Sequence, residues 1–126
     1  MSYTDSGHMG VQHNEWLKTL DFYKDELDVL EKRLEEVAVK NTSSEAGVGT
    51  EHFQNQFIIQ RNNIMELKHT ISLHSHRVFE DVKNHAGKVE KALVDEHMEI
   101  GDNLEQFEKI FRDLRIEFNL YVTKWI

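Results

Sequence analysis

The sequence predicts an all-α protein, folded as an antiparallel up-down-up bundle of three long helices. Three observations predict it. The 126 residues include no proline, so no residue lacks the backbone N–H that helix interiors require. Apolar residues recur at alternating steps of four and three along three separate stretches, which is the period of a helix with one buried face. Between those stretches, Asn41–Gly49 and Asn84–Gly87 gather the Gly, Asn, Ser and Thr residues that favour turns.

The first ten residues carry no helical period, and Ser6-Gly7-His8-Met9 resembles a cloning remnant. Residues 1–11 are therefore expected to be a disordered tail, and residues 12–126 a single helical-bundle domain, since a chain of this length holds one core. In the first helix Trp16, Leu20, Tyr23, Leu27, Leu30, Leu34 and Val37 form an unbroken coiled-coil seam, and His13 extends it backwards by three residues. The seam ends at the Asn41–Gly49 run, after which Thr50 offers an N-cap for the second helix.

The second helix places Phe53, Phe57, Ile64, Leu67, Ile71, Val78 and Val82 on one face, and Gln60, His74 and His85 complete the stripe. Asn84-His85-Ala86-Gly87 reads as the next turn, with Gly87 suited to a left-handed backbone. The third helix then runs from about Lys88 to the end and presents Val89, Leu93, Ile100, Leu104, Phe107, Phe111, Leu114, Phe118, Val122 and Trp125. Gly101-Asp102 is a candidate break within it, because Asp102 and Glu105 have capping-box spacing.

That break defines a competing topology, one very long central helix from Glu51 to Ile100 in a dimeric helical bundle. Such a helix would be ~75 Å long at 1.5 Å per residue and would need a second chain to cover its apolar face. The near-equal spans 50–85 and 88–126 favour three antiparallel helices in one chain.

The histidines carry the candidate chemistry. In the three-helix register His13, His74 and His97 come from three different helices into one layer, with Glu96 at its edge and Asp81 and His85 further toward the end of the bundle. Neutral imidazoles with a carboxylate suit Zn, Fe, Mn or Cu, so His13, His74, His97 and Glu96 are the candidate metal ligands, and Asp81 and His85 are secondary. The other reading is a set of hydrogen-bonded structural histidines, and a third is a pH sensor whose buried imidazoles charge on acidification. His76-x-x-x-Glu80 and His97-x-x-x-x-Asp102 have spacings like those in hemerythrin, and Glu66-Leu-Lys-His69 has the E-x-x-H form of ferritin-like proteins. Hemerythrin's H-x-x-x-H helix and a second E-x-x-H are absent, and His69 and His76 fall on the solvent side of their helix, so neither family is assigned.

Composition bounds the rest. With 15 Lys+Arg against 23 Asp+Glu the formal charge is −8, which disfavours a grip on nucleic-acid phosphates. There is no cysteine, so oxygen and nitrogen are the available ligands. The start has no basic segment followed by an apolar one, and no apolar run approaches the roughly 18 residues needed to span a bilayer. A soluble cytoplasmic protein without nucleic-acid or membrane partners is the expectation. No phosphate-binding glycine loop, nucleophile elbow or H-E-x-x-H occurs, so neither a nucleotide enzyme nor a Ser-His-Asp hydrolase is indicated.

Two functions fit. In the first, the chain is a structural, protein-interaction or oligomerisation module that self-associates or binds another helical protein, through Ile58, Met65, Leu73, Leu17, Tyr121 and Trp125 on its second faces. In the second it is a metal-binding bundle. The sequence fixes no cofactor, and a transition-metal ion is the candidate.

Overall fold

The computed structural model of the protein describes residues 3–5, 7–86 and 88–125. Helix α1 spans Gly7–Lys40, α2 Ser44–Asn84 and α3 Lys91–Trp125. Strands β1 (Tyr3–Asp5) and β2 (Lys88–Glu90) pair antiparallel, with Tyr3 opposite Glu90 and Asp5 opposite Lys88. This ribbon joins the start of the chain to the connection between α2 and α3.

The three helices form the up-down-up bundle. Side-chain pairs between α1 and α2 run in opposite directions, Lys68 meeting Asp21 and Arg61 meeting Asp28 and Glu31. The α2–α3 pairs do the same, from Arg77–Glu96 at one end to Lys124–Glu45 at the other. Helices α1 and α3 are thus parallel, and Arg115 reaches Glu26 across them. The stripes read from the sequence are the buried faces. Leu20, Leu27, Leu30, Leu34 and Val37 of α1 pack with Phe53, Phe57, Ile64 and Ile71 of α2 and with Ile100 through Val122 of α3 in the main core. A second, smaller cluster of Met9, Val78 and Val89 lies at the ribbon end.

Four boundaries differ from the sequence reading. Helix α1 begins at Gly7, so part of the segment expected to be a tail is helical and Met9 is buried; Met1, Ser2 and Ser6 lie outside the described residues. Helix α2 begins at Ser44, not after Thr50, because Ser43 is its N-cap: the Ser43 backbone is extended and its hydroxyl accepts a hydrogen bond from the Ala46 amide at 3.2 Å. The glycines of the expected loop are therefore helical, and Gly49 has a packing reason. A Cβ there would stand 2.2 Å from a ring carbon of Tyr121, whose hydroxyl donates to the Ala46 carbonyl at 2.8 Å and also bonds Thr50.

At the second turn the positive φ, 53°, falls on Ala86; the expected left-handed Gly87 lies outside the described residues. Helix α3 starts at Lys91 after the short strand and runs through Gly101-Asp102 without a break. The turn at Asn84 to Ala86 excludes the continuous central helix. Gly101 serves close packing instead of a kink, since a Cβ there would stand 3.3 Å from the Trp16 indole.

Candidate metal centre

Each stripe carries one histidine at the same height of the bundle. His13 follows Met9 by four residues on α1, His74 follows Ile71 by three on α2, and His97 precedes Ile100 by three on α3. Helical spacing therefore aims all three side chains at the bundle axis. They are 3%, 0% and 6% exposed. Their ring centres lie 5.1 Å (His13–His74), 5.0 Å (His13–His97) and 5.3 Å (His74–His97) apart. One nitrogen from each ring lies within 4.8 Å of the other two.

A directed hydrogen-bond network surrounds the rings. His13 Nε2 and His74 Nδ1 are 2.9 Å apart, and His74 Nε2 is 2.8 Å from the carbonyl oxygen of Leu93. His97 Nε2 is 2.6 Å from the Gln12 amide oxygen. His97 Nδ1 is buried with no hydrogen-bond partner among the described residues. That leaves a lone pair or an N–H facing no partner inside the fold, an arrangement that native interiors rarely tolerate. Trp16 covers the layer, with its indole centre 4.5 Å from His97 and 5.7 Å from His13.

Burial, then the neighbouring His97 and His74, push the His13 pKa down to about 4. Burial, then His74, lower His97 to about 4 as well. Removing a charged imidazole from water is unfavourable and a second cation nearby adds to the penalty. These two rings are consequently neutral at pH 7, the state that binds metals.

The expected oxygen ligand is elsewhere. The Glu96 carboxylate is half-buried and pairs with the Arg77 guanidinium, and among the described residues the group of mutually close ligand atoms holds only the three histidines. Asp81 and His85 pair with each other at 2.9 Å near the end of α2, and Asp81 also accepts from the Glu90 amide at 2.8 Å. They form a cap on the strand connection and do not join the triad. His69 and His76 are exposed, as their angular position on α2 requires.

Sequence reasoning missed Gln12, the Leu93 carbonyl and Arg77. Gln12 lies 85 positions from His97 on an exposed face, and a backbone carbonyl leaves no trace in a side-chain pattern. Trp16 was legible as a seam residue one turn after His13, although its role as cover depends on the missing side chain at Gly101.

The chain matches no family model, no curated protein and no solved structure. Among the described residues no helix is long and apolar enough to cross a membrane.

Proposed function

We propose that this protein is a metal-binding helical bundle whose three helices each supply one imidazole, from His13, His74 and His97, to a single transition-metal ion. One observation carries the reading: three buried imidazole nitrogens from three separate helices lie within 4.8 Å of one another. Metal–nitrogen bonds of about 2.0–2.1 Å with tetrahedral angles set ligand nitrogens about 3.4 Å apart. His13 Nε2 and His74 Nδ1 stand 2.9 Å apart and all three nitrogens lie within 4.8 Å of one another, so ring rotation would bring them to that spacing. The unpartnered His97 Nδ1 supports the same reading, since a bound cation would satisfy it.

The test is equilibrium dialysis of the untagged chain against Zn²⁺, followed by elemental analysis. One ion per chain is expected, and His13→Ala, His74→Ala and His97→Ala should each abolish it. Affinity left unchanged in any one of the three variants, or no binding in the parent chain, overturns the proposal.

A second reading, self-association or docking to another helical protein, is supported by α2. Ile58, Met65 and Leu73 are 57%, 64% and 48% exposed, as that reading expects of a lone chain. Leu17, Tyr121 and Trp125, expected to share this role, instead pack half-buried against the main core. Sedimentation over a hundredfold concentration range tests it, and a monomer throughout would overturn self-association.

A further inference from the structure

The bonds around the triad identify which nitrogens are free to bind. A carbonyl oxygen only accepts, so the Leu93 contact places the proton of neutral His74 on Nε2 and its lone pair on Nδ1. The Gln12 amide oxygen likewise places the His97 proton on Nε2, leaving the lone pair on the buried, unpartnered Nδ1. His13 brings Nε2 within 2.9 Å of His74 Nδ1. Two of the rings are thus held from behind in the tautomer that offers Nδ1, which is how outer groups orient metal-binding histidines. Among the described residues no carboxylate joins them: Glu96 is bound by Arg77, and Asp81 by His85 and the Glu90 amide.

Resting on the metal-binding reading, we infer that the ion is held by nitrogen alone, through His74 Nδ1, His97 Nδ1 and His13 Nε2. Gln12 is a positioning residue, and the site selects a late first-row dication of the Zn²⁺ and Co²⁺ kind over oxygen-seeking Mn²⁺ and Mg²⁺. Imidazole is a borderline donor whose affinity rises steeply from Mn²⁺ toward Zn²⁺, whereas Mg²⁺ requires oxygen ligands in an octahedron. Three protein ligands leave a fourth tetrahedral position for water. When the ion binds, His13 loses the proton on Nε2 and takes one from solvent on Nδ1, so the ring stays neutral and the proton count is unchanged.

The experiment titrates the untagged full chain with Co²⁺ followed by visible absorption, Zn²⁺ by displacement of Co²⁺, and Mn²⁺ by the magnetic resonance of the free ion. One Co²⁺ per chain with an intense tetrahedral spectrum is expected, displaced by Zn²⁺, with Mn²⁺ remaining free. Long-range ¹H–¹⁵N spectra of the Zn²⁺ form should show His74 and His97 protonated at Nε2. Gln12→Leu, at an exposed position, should weaken Zn²⁺ about 10- to 100-fold, and Gln12→Glu should restore it. Mn²⁺ binding equal to Zn²⁺, or His97 coordinated through Nε2, overturns this inference while the metal-binding reading survives. Unchanged affinity in Gln12→Leu overturns the positioning role, and failure of both Co²⁺ and Zn²⁺ to bind overturns both readings.

Discussion

The indole of Trp16 lies with its ring centre 4.5 Å from the imidazole of His97, tilted by 33°, and it reaches that place over the bare backbone of Gly101. Burial is the first cause of the low His97 pKa. Trp16→Ala should therefore raise that pKa toward 6.5 and destabilise the fold by about 2–4 kcal/mol, as large-to-small changes in packed positions do. An NMR titration of the imidazole resonances checks it; an unmoved His97 midpoint would remove Trp16 as the cover.

The metal-free protein should lose stability in mild acid. His13 and His97 titrate near pH 4 when folded and near 6.5 when unfolded. Between those values the unfolded chain binds more protons, so stability is full above pH 6.5 and falls as pH drops toward 4. The loss should reach a few kcal/mol, with the ion-paired Asp21 carboxyl contributing only below that window, its pKa being held low by Lys68. Urea midpoints at pH 7 and pH 4.5 measure it. Equal midpoints would mean that the two imidazoles are not buried as described.

Two glycines of α2 should respond oppositely to alanine. At Gly47 an added Cβ meets nothing within 4 Å, so Gly47→Ala should stabilise by about 0.5–1 kcal/mol through helix propensity. At Gly49 the Cβ would collide with Tyr121, whose hydroxyl bonds Ala46 and Thr50. Gly49→Ala should destabilise by about 1–3 kcal/mol. Thermal melts of both variants decide, and gains in both would show that Tyr121 does not pack there.

Ser43→Ala should destabilise by about 1 kcal/mol through loss of the α2 cap. Chemical denaturation checks it. A neutral result would return the start of α2 toward Thr50.

The fold was legible because its stripes are long. Seven consecutive seam positions from Trp16 to Val37 fix one face of α1, and Val89 to Trp125 do the same for the final segment. The three triad histidines were legible for the same reason, since each continues an apolar stripe and the antiparallel register brings equal heights together. Local punctuation misled where tertiary packing overrode it. The glycines near residue 47 signal a loop, but Ser43 caps the helix before them and Tyr121 requires the room that Gly49 leaves. Gly101-Asp102 signals a break, but the missing side chain admits Trp16. Glu96 was expected as a ligand, and its partner Arg77 was not foreseen because an exposed cation one turn after Leu73 has many places to go.

The imidazole layer separates the main core, which ends at Leu20, Ile71 and Ile100, from the small cluster of Met9, Val78 and Val89 beneath the ribbon. The bundle is therefore two hydrophobic compartments joined by a polar washer. The lower compartment has too few apolar side chains to stand alone, so its order depends on that washer holding tight. That layer is thus where the first turns of α1 and the last turns of α2 adjoin the long upper compartment.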